Sequence, residues 1–215
     1  MASEHRSGRR KAVSELKRAL ILEAAREVFE REGLEGASLR AIAAAAGYTP
    51  AALYFHFEDK EAIYAEVLHS SLAKLKETVS GAVLLGDTPA HRLRAAAMAF
   101  FRYYADNPRD LDLGFYLFRG GMKPRGLGKE RDAILNAALK SALQPIADTA
   151  QVLGAGREEG ELLMADIFAH AAGLLLLAHT GRIRMFDASA SDLMERFVER
   201  ATVALTEKTK NSAAD

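Results

Sequence analysis

Between Ser38 and Lys60 the chain reads SLRAIAAAAGYTPAALYFHFEDK, and the side chains here suit recognition of a nucleic acid better than transformation of a substrate. The hydroxyls of Ser38 and Thr49 can bond phosphate oxygens. Thr49, Ala51, Ala52, Tyr54 and His56 form an outward set. Ala51, Ala52 and the Thr49 methyl can only meet a thymine methyl or fill space, so direct base readout is sparse and DNA shape has to carry more.

Chemistry of other kinds finds little support. The six histidines are His5, His56, His69, His91, His170 and His179, none with a neighbour at metal-ligand spacing. His170 and His179 are nine residues apart, about half a helical turn out of phase, and so point to opposite faces of one helix. Cysteine is absent, which removes disulfides, thiolate metal sites and a cysteine nucleophile and suits a reducing cytoplasm. There is no G-x-S-x-G elbow, and the loop from Gly120 to Lys129 fits neither glycine-rich phosphate motif. The expectation is a protein without catalytic residues, metal or cofactor.

Two short helices must position the candidate residues. Ser38 caps a first helix whose apolar positions Leu39, Ile42 and Ala43 recur at helical spacing, and Gly47 permits a sharp C-terminal turn. Thr49 caps a second, very short helix with Pro50 at its first position, turning Leu53 and Phe57 inward. Two helices joined by a tight glycine-containing turn form a helix-turn-helix, whose second helix enters the DNA major groove. Upstream, Leu16, Leu20, Ile21, Ala24, Ala25, Val28 and Phe29 predict a helix from about Ser14 to Glu32 lying across the pair. Phe29, Leu39, Ile42, Leu53 and Phe57 are the expected core of this module.

Ala43 and the run AGYTPAALYFHFEDKEAIY that follows it resemble the signature of the TetR-type (tetracycline-repressor-like) transcriptional regulators at Ala43, Gly47, Leu53, Tyr54, Phe55, Phe57 and Lys60, a resemblance covering roughly residues 14 to 68. It implies base contacts at Arg40, Thr49, Pro50 and Ala51, and phosphate contacts at Tyr54, His56 and Lys60. It also implies a double-stranded DNA operator, a homodimer and repression relieved by a small molecule. A helical adaptor binding only protein is the alternative, and it leaves Arg40, Tyr54 and Lys60 unexplained.

The rest of the chain is consistent with an all-α protein: an N-terminal three-helix helix-turn-helix DNA-binding domain, then a C-terminal helical ligand-binding and dimerisation domain. In 215 residues, 49% hydrophobic, a sizeable core can be buried, while 29 basic against 29 acidic residues leave no global field to attract DNA. Residues 1–13 read as a flexible basic arm, a phosphate-tracking element or a merely solvated tail, without a signal-peptide core; export is not expected. The DNA-binding domain is expected at 14–60, the effector and dimerisation domain at 61–208, and a polar tail at 209–215. Asp59 is placed to cap a fourth helix to about Ser80, burying Tyr64, Val67, Leu68, Leu72, Leu75 and Val79. Pro145 predicts a kink or break near Ala142.

Aromatic residues concentrate between Phe100 and Met122. Phe100, Phe101, Tyr104, Phe115, Phe118 and Met122, with Leu139, His170 and Leu174 facing them, make either an apolar pocket for a flat or greasy effector or simply packed core. Lys123, Arg125 and Lys129 offer an alternative anchor for an anionic group. The last two helices, about Glu158 to Gly181 and Ser191 to Lys208 with Leu193, Phe197, Ala201 and Leu205 in register, are expected to form a two-fold four-helix bundle. Asp166, His170 and His179 argue against a membrane span there.

Overall fold

The computed structural model describes residues 2–114 and 126–212, in which there are nine α-helices and no strand. They are α1 (Ala2–Gly36), α2 (Leu39–Ala46), α3 (Pro50–Leu53), α4 (Lys60–Val83), α5 (Pro89–Asp106), α6 (Pro108–Gly114), α7 (Lys129–Val152), α8 (Arg157–His179) and α9 (Ala190–Ser212). The expected all-α architecture is the one observed. Phe115, Phe118 and Met122, with Lys123 and Arg125, lie outside the described residues.

Two compact units divide the chain: Met1–Ser71 with Asp112–Leu135, and Leu72–Leu111 with Asn136–Asp215. The divisions fall inside α4 and α7, so the unit that carries the helix-turn-helix extends beyond residue 60 and takes in a second stretch of chain.

In the first unit, Ile21, Ala25, Val28 and Phe29 of α1 are buried with Ile42, Ala43, Leu53 and Phe57. Leu39 is only half-buried, and Leu16 and Leu20 are exposed, so the α1 stripe is buried from Ile21 onward. The stretch expected as a flexible arm is the beginning of α1: Glu, Arg, Lys and Ala are strong helix formers and no proline interrupts them. Gly33, at φ 68° and ψ 175°, breaks the helix near its end, where its sequence predicts a stop. Tyr64 of α4 packs its ring edge-on to Phe29, 4.8 Å between centroids, and donates its hydroxyl to the Leu113 carbonyl at 2.8 Å. A buried tyrosine needs such a partner.

In the second unit, α5 packs on α9 and α8, and α8 on α9. Leu93, Ala97, Phe100, Phe101 and Tyr104 share the buried face of α5, as their spacing predicts. Arg94 to Glu199 and Arg102 to Glu195 pair α5 with α9 at the rim. The buried stripe of α9 is Met194, Val198, Thr202 and Leu205; Leu193, Phe197 and Ala201 are half-exposed on its flank. α7 runs through Pro145 without a break. Ala142, Leu143, Ile146, Ala147 and Ala150 on either side are buried, and this packing outweighs the missing backbone donor. α9 continues past Lys208 to Ser212, and the single hydroxyl proton of Thr209 is shared between the carbonyls of Leu205 and Leu153, each 2.9 Å away. α8 alone among the described helices is long and apolar enough to cross a membrane by length and composition, and 28% of that stretch is buried in the fold.

Candidate nucleic-acid interface

The turn between α2 and α3 is built by its caps. Ser38 Oγ accepts from Ala41 N–H at 3.1 Å and starts α2. Gly47, left-handed at φ 69° and ψ 27°, stops it, with Tyr48 N–H reaching back to the Ala43 carbonyl at 2.8 Å. Thr49 Oγ1 accepts from Ala52 N–H at 3.4 Å and starts α3 with Pro50 at its first position. His56 and Phe57 N–H then close on the Leu53 carbonyl at 2.8 and 2.9 Å, carrying the turn past the four residues of α3 proper.

This scaffold leaves an outward surface. Ser38, Arg40, Thr49, Pro50, Ala51 and Tyr54 are exposed, and Arg40 makes no ion pair among the described residues. Its five donors remain available to an acceptor pair. Phe55 is 88% exposed, more than Tyr54 at 61%. An aromatic ring so placed beside the candidate contacts belongs to the same surface. Its position four residues after Ala51 on an outward face was the signal for it, but the reading from hydrogen-bonding groups passed over it.

One predicted residue has a further duty. Lys60 Nζ donates to the carbonyls of Leu34 at 2.8 Å, Ala37 at 3.1 Å and Glu35 at 3.4 Å. An ammonium has three protons to donate, so in this structure Lys60 ties the start of α4 to the end of α1 and the approach to α2, not to a phosphate. His56 is half-buried, and its carbonyl accepts from Arg18 Nη1 at 3.0 Å.

Arg18, which sequence spacing did not single out, braces the module. Its guanidinium lies 4.5 Å from the centre of the Phe57 ring and forks onto the Glu66 carboxylate, with Nε to Oε2 at 3.1 Å. One side chain thereby joins α1, the exit of α3 and α4. Both partners are about a third exposed, so fixing direction matters here more than net stability.

The residues expected to hold an effector are partly packed core. Phe100, Phe101, Tyr104 and Leu174 are buried, with Phe100 against Tyr104 at 5.5 Å and Phe168 at 6.0 Å between ring centroids. Burial, with Tyr103 and Asp110 adding, pushes the Tyr104 hydroxyl well above the ordinary tyrosine range. Leu139 is half-buried on α7. His170 does not face this cluster but stacks on Phe197 of α9, 4.1 Å between centroids. A cavity of about 280 Å³ in the second unit has different walls: Ser80, Val83, Pro89, Arg92, Pro145, Asp148, Thr149 and Val152.

Comparison with known proteins follows the same division. Residues 21–67 match the family described as bacterial regulatory proteins, tetR family. The transcriptional repressor AcnR of Corynebacterium efficiens is 40% identical over 60 residues, 28% of this chain and 32% of AcnR. The chain thus spans about a third of the length of the curated relatives it matches. A TetR family transcription regulator from Marinobacter aquaeolei VT8 superposes with a TM-score of 0.63 at 21% identity, covering 90% of this chain and 97% of that one. FadR from Bacillus subtilis, solved in complex with stearoyl-CoA, gives 0.63 at 18% identity, covering 84% and 95%. The fold is shared along nearly the whole chain, and the sequence likeness is confined to the part that holds the helix-turn-helix. The likeness to the tetR family of bacterial regulatory proteins is carried by residues 21–67.

Proposed function

We propose that the chain is a DNA-binding transcriptional regulator, a homodimer working in the cytoplasm as a repressor, whose hold on a double-stranded operator is lowered by a small molecule. The observation that carries this reading is the surface of α2 and α3: an unpaired, exposed Arg40 at one helix start and Thr49, Pro50, Ala51, Tyr54 and Phe55 around the other. Arg40 reads a base, Tyr54 and the Ser38 and Thr49 hydroxyls bond phosphates, and the alanines leave room for close approach.

Dimerisation is proposed through α8 and α9. Leu162, Ala169, Gly173 and Leu176 form an exposed stripe on α8, and the half-exposed Leu193, Phe197 and Ala201 flank the buried face of α9. Small residues in the stripe let a second helix approach closely, and a two-fold mate is the simplest cover for such a surface. Two α3 helices then meet successive major grooves about 34 to 36 Å apart.

The effector is proposed to be apolar or aromatic. The cavity lined by Val83, Pro89, Pro145 and Val152 supports this, with Ser80 and Arg92 to orient the ligand, and so does the acyl-CoA held by the similar fold of FadR. A ligand releases DNA only by binding the non-operator state better, and saturating operator then weakens the ligand by the same factor. Fluorescence anisotropy on a duplex selected from a random pool tests the DNA reading, and sedimentation equilibrium at micromolar concentration tests the dimer.

A further inference from the structure

Glu58, Asp59 and Lys60 join the exit of α3 to α4, and they are held from two sides within the first unit. Lys60 grips the carbonyls at the end of α1, as described. On the other side stands Arg131, 72 residues from Asp59 in sequence. Its Nη1 and Nη2 each donate to Asp59 Oδ2 at 3.2 Å, Nη2 donates to Glu58 Oε2 at 3.4 Å, and Nη1 to the Leu127 carbonyl at 3.4 Å. The Arg131 side chain is only 27% exposed.

Asp59 therefore does two things at once. Its Oδ1 accepts from Ala62 N–H at 2.7 Å, capping α4, while Oδ2 takes the guanidinium. The carboxylate is thus held through both oxygens, by a guanidinium and by a backbone amide. Only Phe57 separates this anchored stretch from the last residues of the α3 turn, and Phe57 is itself fixed, buried under the Arg18 guanidinium.

We infer that Arg131 is a positioning residue for DNA recognition: from outside the helix-turn-helix it fixes the α3–α4 junction, through Asp59, in the orientation that fits DNA. The inference rests on the DNA-binding reading above. The hydrogen bonds of Arg131 go to Asp59, Glu58 and the Leu127 carbonyl, so its effect is on geometry and not on charge delivered to phosphate. Its partners are partly exposed, with Asp59 44% and Glu58 89% exposed at the side chain, which argues against a mainly stabilising role.

The test uses the full chain and a duplex selected by the wild type. Binding of that duplex by the wild type is established first, and its absence would refute the DNA-binding reading instead of this one. Arg131→Met is expected to weaken binding five- to fifty-fold, with helicity and melting temperature nearly unchanged and the slope of log affinity against log salt preserved. Arg131→Lys, which restores charge but not the fork, recovers part of the loss. Asp59→Asn keeps the helix cap, since asparagine caps as well as aspartate, and it is expected to weaken binding without adding to Arg131→Met in the double variant. Affinity within two-fold of wild type for Arg131→Met overturns the inference. So does a salt slope lowered by about one, the mark of a lost direct phosphate contact, or fully multiplicative effects of the two substitutions.

Discussion

Lys60 Nζ lies 2.8 Å from the carbonyl oxygen of Leu34 and 3.1 Å from that of Ala37, closing the end of α1 onto the start of α4. The lysine that the sequence resemblance assigns to a phosphate is, in this fold, the pin between two helices of its own module. Its substitution therefore tests folding and DNA geometry together.

Lys60→Met keeps most of the aliphatic stem and removes the ammonium, leaving part-buried carbonyls unbonded. Hydrogen bonds to a charged donor are worth roughly 1.5 to 3 kcal/mol apiece when sheltered, and partial exposure lowers this. The expected loss is about 1 to 3 kcal/mol in total, read from urea unfolding. DNA affinity should fall evenly across sequences while the salt slope holds. A slope reduced by about one returns Lys60 to the phosphate backbone.

Arg40 is exposed and unpaired, so its replacement should leave stability alone. Arg40→Ala is expected to cost about 1 to 3 kcal/mol of binding per half-site and to relax preference at one base pair. Competition among duplexes differing at single positions measures both effects. An even loss over every base substitution makes Arg40 a backbone contact.

Gly47 sits at φ 69° with open space where a Cβ would go, so the penalty for alanine is purely conformational. Gly47→Ala should destabilise by roughly 1 to 2 kcal/mol and lower DNA affinity by tilting α3. Gly81, also with open space but at ordinary helical φ near the end of α4, is the control: Gly81→Ala should be neutral or gain up to about 1 kcal/mol. Thermal unfolding of the pair separates backbone strain from a general effect of alanine.

Glu159 titrates below the usual glutamate range, chiefly through its hydrogen bonds from Lys208 Nζ, 2.8 Å to each carboxylate oxygen. A lowered folded-state pKa means a contribution present above the ordinary glutamate range and lost as pH falls through the lowered value. Lys208→Met should move the Glu159 midpoint up, toward that of a free glutamate, in a carboxyl NMR titration. An unmoved midpoint removes Lys208 as the cause.

Local chemistry made the helix-turn-helix legible. Ser38, Gly47, Thr49 and Pro50 each have one structural use at their spacing, and the structure employs all four in that way. The apolar faces of α4 and α5 were equally readable, since their buried residues recur at helical period. Long-range partners were not. Nothing near Lys60 in sequence names Leu34 as its acceptor, and nothing near Asp59 names Arg131, because such pairings depend on how helices pack. α9 has apolar residues on two adjacent faces, and period alone cannot say which of them meets α5. Phe55 is exposed for a reason that hydrogen-bonding chemistry does not announce, since its ring offers neither donor nor acceptor.

The most direct test of the account is the salt dependence of DNA binding by the full chain, measured by anisotropy on a duplex selected from a random pool. The account predicts tight binding of that duplex over a scrambled one, with log affinity falling linearly against log salt at about −0.9 per phosphate contacted, for several phosphates per dimer. Equal affinity for selected and scrambled duplexes, or an affinity indifferent to salt, would contradict it.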